Sequence, residues 1–176
     1  PINFLYQISF VIVQKTWRYM HYKFIFSPNN SGTTIMSQYL STHIRNSYLP
    51  PFGNNEGQMA PNVIKIMRND PWNPFSTFDW QFIKKEWDIL ANKEEREVFI
   101  ESSPPNIIRV HEILDVFKDC EHIFSISSPY SFVASSVFNY FGKGIQNKQT
   151  YDTLVLDFDA QVESVTRRWV QNAVIQ

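Results

Sequence analysis

The feature that most constrains the fold is a segment at residues 23–36, where an apolar strand runs into a turn and then into a helix. It reads Lys23-Phe-Ile-Phe-Ser-Pro-Asn-Asn-Ser-Gly-Thr-Thr-Ile-Met. A short apolar run that stops at proline and asparagine is typical of a buried strand. The turn exposes successive backbone N–H groups, and the helix that follows adds unpaired N–H groups and partial positive charge. The segment therefore predicts an anion-binding loop, in which Gly32 lets the backbone approach a phosphate.

Strand and helix patterns alternate along the rest of the chain. Further apolar strands are predicted at residues 97–101 and 122–127, and a possible fourth strand at 153–156. Helices are predicted at 33–46, 56–68, 79–92, 107–117, 130–141 and 160–174, with Asp79 as the N-cap of the third. This alternation predicts an α/β fold of three layers, α/β/α, with a central parallel sheet.

The three clearest strands are each followed by polar, turn-forming sequence. These segments are residues 27–34, 101–106 and 127–130. In parallel sheets ligands bind outside the carboxyl ends of the strands. We therefore expect the three segments to converge on one binding site.

Composition narrows the class of protein. The chain has 176 residues, the size of one domain, and its formal net charge of −1 gives no sign of a nucleic-acid partner. The single cysteine, Cys120, excludes an internal disulfide and a cysteine-based zinc site, and we expect it to be a packing residue.

The apolar run at 2–13 is about 12 residues long, too short to span a bilayer. We expect it to pack on the core, but the remainder of a membrane anchor is the alternative, so the compartment stays open between the cytoplasm and the secretory pathway.

Three segments together resemble one known family. The loop Ser27-Pro-Asn-Asn-Ser-Gly-Thr-Thr resembles the phosphosulfate-binding loop of sulfotransferases. The run Phe99-Ile-Glu-Ser-Ser-Pro-Pro-Asn-Ile-Ile-Arg109 is similar to the Glu-Lys-Ser-Pro segment of that family. The run Ile123-Phe-Ser-Ile-Ser-Ser-Pro-Tyr-Ser-Phe-Val-Ala-Ser-Ser136 resembles the segment that holds the 3′-phosphate of the sulfate donor. Their order and spacing match the family over residues 23–140.

The resemblance implies a fold and a reaction. The fold would be P-loop NTPase-like, formed by one domain over residues 1–176 that is incomplete at its C-terminus. The donor would be 3′-phosphoadenosine 5′-phosphosulfate (PAPS), whose sulfuryl group passes to a hydroxyl or an amine without a metal. Catalysis would then depend on positioning and electrostatics, as in phosphoryl transfer. The acceptor, which could be a sugar, a lipid, a peptide or a small molecule, is not identified.

The resemblance also assigns roles to particular residues. The donor's 5′-phosphosulfate would lie on the loop formed by Asn29, Asn30, Ser31, Gly32, Thr33 and Thr34. The 3′-phosphate would contact Ser127 and, eight positions later, Ser135. Glu56 is the candidate general base, which would take the proton of the acceptor.

The chain departs from the family at three positions that usually carry a cation, namely Asn30, Ser102 and Ser127. Each such contact is worth about 1.5–3 kcal/mol, so donor affinity depends on whether other cations replace them. The candidates for that replacement are Lys23, Arg45, Lys65, Arg68 and Arg109.

The departures keep two other hypotheses open. One is a sulfotransferase-like binding or scaffold protein that has kept the fold without the activity. The other is a P-loop kinase relative that uses ATP and magnesium, which the absence of a Gly-Lys-Ser/Thr motif disfavours.

Overall fold

The computed structural model describes residues 19–132, together with Ser135, Glu163, Thr166, Arg167 and Val170. The predictions for residues 2–13 and 153–156 lie outside this part of the chain. Of the predicted helix at 160–174, the four described residues are helical. Within the described ranges, no helix has both the length and the apolar character needed to cross a membrane.

Strands and helices alternate as the sequence predicts. The strands are β1 (His21–Phe26), β2 (Ser47–Tyr48), β3 (Val98–Glu101) and β4 (Glu121–Phe124). The α-helices are α1 (Thr33–His43), α2 (Ile64–Met67), α3 (Trp80–Lys93) and α4 (Val110–Val116). Short 3-10 helices occur at Gly57–Met59 and Pro104–Ile108.

The four described strands form one sheet in the order β2-β3-β1-β4, and every pairing is parallel. This confirms the predicted α/β class with a parallel sheet. Strand β2 was not predicted, because two residues are too few to produce a periodic pattern.

An aromatic cluster fills one side of the sheet. Tyr22, Phe24 and Phe26 alternate along β1 and therefore project from the same face, where they join Trp87 of α3. The Trp87 ring stacks on Phe99 of β3 with centroids 5.2 Å apart. Burying a large apolar side chain stabilises a protein by about 1.5–3 kcal/mol, so this cluster is a main source of the sheet's stability.

Two predicted helices are interrupted. The helix predicted at 56–68 is wrong as a single element, because the chain forms a 3-10 turn at Gly57–Met59, passes Pro61 and becomes helical only in α2. The Gly57 N–H donates to a distant side chain instead of entering a helix. The helix predicted at 107–117 starts as the 3-10 helix Pro104–Ile108, where two prolines supply no N–H group, and continues as α4.

The predicted start of α3 is confirmed, whereas α1 is shorter than expected. The Asp79 carboxylate caps α3 by accepting from the Phe82 N–H at 2.9 Å. Helix α1 ends at His43, and Asn46 then adopts a left-handed backbone with φ 57°. Asparagine tolerates that conformation better than most residues, and it turns the chain into β2.

The strand order predicts a crevice between β1 and β3. The connection after β1 passes β3 to reach β2 at one edge, whereas the connection after β3 passes β1 to reach β4. Since parallel crossovers are right-handed, these two connections cover opposite faces of the sheet. Neighbouring strands whose following connections lie on opposite faces of the sheet form a switch point. Parallel sheets bind their ligands at such points.

Candidate functional site

The carboxyl ends of three strands, β1, β3 and β4, lie side by side at the same end of the sheet. In the register of the sheet, Phe24 of β1 lies opposite Glu101 of β3, and Phe26 lies opposite Phe124 of β4. The Ser125 N–H donates to the Phe26 carbonyl at 3.0 Å just beyond the strands. The segments that follow the strands, residues 27–32, 102–106 and 125–128, therefore lie side by side as the sequence indicates.

The backbone of the loop after β1 departs from the usual right-handed conformations at two residues. Asn30 and Gly32 both adopt left-handed conformations, with φ 62° and 83°. Such residues within a turn direct successive N–H groups into a shared concavity. Gly32 is also the N-cap residue of α1, and the first intrahelical bond of that helix runs from the Met36 N–H to the Gly32 carbonyl at 3.0 Å. The N–H groups of residues 33–35 therefore have no acceptor within the helix, and no acidic side chain occupies its first turn.

The same loop has open space and buried hydroxyls. A Cβ atom built on Gly32 would meet no atom within 4 Å. Within the described part of the chain, the hydroxyls of Ser27 and Ser31 are buried and have no hydrogen-bond partner. Leaving a buried polar group unpaired costs about 1–3 kcal/mol, so these hydroxyls are groups that a polar ligand would satisfy. Thr33 is buried and Thr34 is half-buried beside them.

The segment that carries Glu56 is fastened to the end of β3. The Gly57 N–H donates to Glu101 Oε2 at 2.7 Å, and the Gln58 N–H donates to Ser103 Oγ at 3.0 Å. The Ser102 hydroxyl donates to the Asn55 carbonyl at 3.3 Å. Residues 55–58 therefore lie at the carboxyl ends of the strands, where the loop at 27–34 also begins.

Helix α1 holds the other side of this segment. Gln38 Nε2, about one turn after Thr34, donates to Asn55 Oδ1 at 3.0 Å. Glu56 is half-buried, and its carboxylate accepts a hydrogen bond from Gln58 Nε2. The structure thus brings the predicted base to the crevice between α1 and the end of β3.

Glu101 is the residue of this site to which sequence reasoning gave no role. It is fully buried, and its carboxylate accepts hydrogen bonds from the N–H groups of Gly57 and Ser103 and from Asn106 Nδ2. Burial raises the pKa of Glu101 from 4.5 to about 7, the hydrogen bonds from Ser103 and Gly57 oppose that rise, and the nearby charge of Glu56 adds to it. An acidic residue at the end of the apolar run Val98-Phe-Ile is the signal that could have revealed it.

The predicted contacts with the 3′-phosphate are only partly described. Ser127 lies on the segment after β4 and is half-buried. A helix begins at 129, and Ser135 is helical and half-buried, but residues 133–134 and 136–140 lie outside the described chain. The pairing of Ser127 with Ser135 stays a prediction.

Two of the candidate replacement cations are engaged elsewhere. Lys23 forms an ion pair with Glu121. The Arg109 guanidinium is buried 3.8 Å above the Phe78 ring and donates to the carbonyls of Asn73 and Ser76. Arg109 therefore holds the 73–78 loop in place, whereas Arg45, Lys65 and Arg68 are exposed to solvent.

Comparisons with protein-family models, with curated proteins and with solved structures found no match to this chain. In the described ranges, no group of three or more His, Cys, Asp or Glu side chains is arranged to hold a metal ion. The interpretation of the site therefore depends on its own geometry.

The close approach at Gly57 gives the first prediction. A Cβ at this position would lie 2.2 Å from Glu101 Oε2 and 2.9 Å from the Trp87 ring, both of which are buried. We expect Gly57→Ala to lower the free energy of unfolding by about 2–4 kcal/mol, as other overpacked or strained buried sites do. Urea denaturation followed by circular dichroism measures this change.

The control for this variant is Gly32→Ala, since Gly32 has open space around it and only its left-handed backbone opposes a side chain. That backbone costs about 1–2 kcal/mol. Equal destabilisation by the two variants would contradict the packing described at Gly57.

The buried Arg109 gives the second prediction. Lysine cannot reproduce the planar fork that donates to the carbonyls of Asn73 and Ser76, so Arg109→Lys removes charge-assisted hydrogen bonds from a buried side chain that packs on Phe78. We expect a loss of about 2–3 kcal/mol in the free energy of unfolding, against less than about 0.5 kcal/mol for Arg96→Lys. Arg96 is a suitable control because 44% of its side chain is exposed. Thermal or urea denaturation of both variants tests the difference, and equal stability would show that Arg109 does not hold the loop.

Proposed function

We propose that this protein binds PAPS in the crevice between β1 and β3 and transfers its sulfuryl group to a hydroxyl or amine of an acceptor. The observation that carries the proposal is the loop at 27–34, in which left-handed residues, open space at Gly32 and the start of α1 occur together. The strand order also supports it, because the loop lies at the switch point of a parallel sheet. Together with the resemblance of three segments, this favours a P-loop-like sulfotransferase fold.

The loop offers neutral donors instead of cations. The N–H groups at the start of α1 point a partial positive charge at the donor, a contribution of about 0.3–1 kcal/mol for a singly charged group. Each of the Ser31 and Thr34 hydroxyls could add a hydrogen bond to the phosphosulfate. These contributions are smaller than those of a lysine or arginine, so we expect donor affinity to be weaker, and less dependent on salt, than in a site lined by cations.

The transfer exchanges one S–O bond for another. The acceptor oxygen, or nitrogen, attacks the sulfur in line with the bridging oxygen, whose bond to sulfur breaks as the new bond forms. The acceptor proton passes to the Glu56 carboxylate, and 3′,5′-adenosine bisphosphate leaves with the electron pair. Helix α1 and the loop would stabilise charge on the sulfuryl and phosphate oxygens throughout.

The second candidate function is nucleotide or acceptor binding without catalysis. The observation that favours it is the environment of Ser102, which replaces the expected lysine. Ser102 is fully buried, and its hydroxyl donates to the Asn55 carbonyl, so this position is integrated into the protein interior. Arg109 and Lys23 are engaged elsewhere, so they do not supply the missing charge. Under this second hypothesis the site is a binding surface with low affinity for the doubly phosphorylated donor.

The third prediction separates the loop from other anion sites. In calorimetric titration at low salt, we expect 3′,5′-adenosine bisphosphate to bind the wild type with a micromolar Kd. Gly32→Ala and Gly32→Trp impose the same backbone strain, but only the tryptophan fills the open space. We expect the alanine variant to bind within about tenfold of the wild type and the tryptophan variant to lose at least about tenfold in affinity, which is about 1.4 kcal/mol.

Two results would reject the proposal. Binding that is equal in the alanine and tryptophan variants would place the nucleotide elsewhere. Tight binding of magnesium ATP, with no preference for the 3′-phosphate, would favour the kinase hypothesis instead. Thermal denaturation of each variant confirms that it is folded before the titration.

The fourth prediction restores a cation. Asn30 is exposed and left-handed, so a lysine there can extend toward a bound phosphate. We expect Asn30→Lys to raise the affinity for 3′,5′-adenosine bisphosphate by roughly tenfold, the low end of a charge-assisted hydrogen bond. Glu95→Gln is the control, because it changes the net charge by the same amount at a residue that is also exposed and left-handed but precedes β3, at the opposite end of the strands. An equal gain in both variants would indicate a general charge effect and not a phosphate contact at the loop.

A further inference from the structure

We infer that Glu101 is a positioning residue for Glu56, because its buried carboxylate fixes the backbone of residues 55–58 against the end of β3. The meaning of that position for catalysis rests on the proposed function, in which Glu56 accepts the proton of the acceptor. The attachment itself does not, and it can be tested without any ligand.

The Glu101 carboxylate joins two segments that follow different elements. Its Oε2 accepts from the Gly57 N–H at 2.7 Å, and its Oε1 accepts from the Ser103 N–H at 2.8 Å. The first donor lies next to Glu56, and the second lies on the segment after β3. One side chain therefore sets the distance between the Glu56 segment and the sheet.

Gly57 allows this contact because it has no side chain. Any Cβ would lie 2.2 Å from Glu101 Oε2, so the carboxylate approaches the backbone as closely as a hydrogen bond requires. On its other side, the Gly57 carbonyl accepts from Trp87 Nε1 at 3.2 Å. Both polar groups of this peptide region are thus engaged by buried side chains, while the adjacent Glu56 side chain remains half-buried.

The groups around Glu101 can form hydrogen bonds with both the ionised and the protonated form of its carboxyl. Its three hydrogen-bond partners are all donors, which suits the ionised carboxylate. Asn106 Oδ1 is buried and, among the described residues, has no partner. If the Asn106 amide turned about its terminal bond, Oδ1 would accept a hydrogen bond from the protonated carboxyl.

Two ionisable side chains interact electrostatically with Glu101. Glu56, on the fastened segment, raises the pKa of Glu101, and Tyr22 of β1 has a pKa well above 10, which keeps the phenol neutral. Burial is the largest cause of the raised pKa of Glu101, which reaches about 7. The ionised form makes the stronger hydrogen bond to Gly57, so residues 55–58 are held most firmly above pH 7.

The effect on stability has the opposite sign. The folded state holds the Glu101 proton more tightly than the unfolded chain does, since its pKa is about 7 against 4.5. The free energy of unfolding therefore decreases as pH rises from about 4.5 to 7 through this group. The attachment of residues 55–58 should therefore tighten around pH 7, after the global stability has fallen between about pH 4.5 and 7.

The test is a pH titration of the ligand-free protein followed by NMR between about pH 3 and 9. We expect the amide protons of Gly57 and Ser103 to shift with one common midpoint near 7. The carboxyl carbon of Glu56 should report a step at that midpoint, which a purely structural Glu101 would not produce. Amide signals that do not titrate, or that titrate at the ordinary carboxyl value near 4.5, would overturn the inference.

Two variants sharpen the result. Glu101→Gln should remove the common midpoint from all three signals and flatten the pH dependence of stability attributed to this group. If that variant does not fold, Glu56→Gln tests whether Glu56 lies beside Glu101. It removes the neighbouring charge, so it should lower the midpoint pH at which the Gly57 and Ser103 amide signals shift. An unchanged midpoint in Glu56→Gln would show that Glu56 does not lie beside Glu101.

The proposed function and this inference can fail separately. Absence of 3′,5′-adenosine bisphosphate binding, with the common midpoint intact, would reject the nucleotide site and leave the attachment of residues 55–58 established. Nucleotide binding without a common midpoint would keep the site and reject the role of Glu101.

Discussion

The parallel pairing of β1 with β3 on one side and β4 on the other is the constraint on which the rest of the structure depends. It places three strand ends at one edge and requires the connections to cross the sheet. Because β1 is flanked on both sides, four of its six residues are buried, including the last three, which explains the apolar run that precedes the loop. The loop at 27–32 therefore begins from a rigid strand, and its unusual backbone is supported by the sheet.

The electrostatics of the crevice differ from those of most phosphate sites. Asn30, Ser102 and Ser127 are neutral, and two of the candidate replacement cations are engaged in other contacts, Lys23 with Glu121 and Arg109 with the 73–78 loop. Any anion bound here would interact mainly with N–H groups and hydroxyls. Such a site selects by shape and hydrogen-bond geometry more than by charge.

The sequence predicted the parts of the fold that depend on local patterns. The strand–turn–helix at 23–36, the strands predicted at 97–101 and 122–127, and the N-cap at Asp79 follow from apolar runs and capping residues. The structure confirms them, except that the last of these strands ends at Phe124. Strand β2 and the interruption of the helix predicted at 56–68 could not be predicted in the same way. Both depend on partners distant in sequence, since β2 exists only by pairing with β3 and Gly57 is held by Glu101, 44 residues away.

For the candidate site too, the sequence predicted some features and not others. The convergence of the segments after β1, β3 and β4 follows from parallel pairing, whereas the roles of Arg109 and Glu101 do not. A buried arginine above Phe78 and a buried carboxylate beneath Gly57 look like ordinary charged residues in the sequence. Only their tertiary environment distinguishes them from surface charges, because burial is decided by the whole fold.

The hydrogen bond from Trp87 to the Gly57 carbonyl joins the aromatic core to the crevice. Trp87 is also stacked on Phe99 in the centre of the sheet, so the segment that carries Glu56 shares a residue with the most buried part of the protein. Segments held only by surface contacts open locally at little cost, whereas those tied to a core strand open with the whole cooperative unit. Slow amide exchange at residues 57–58, comparable to that of β3, would follow, and this crevice would then retain its shape for as long as the sheet stays folded.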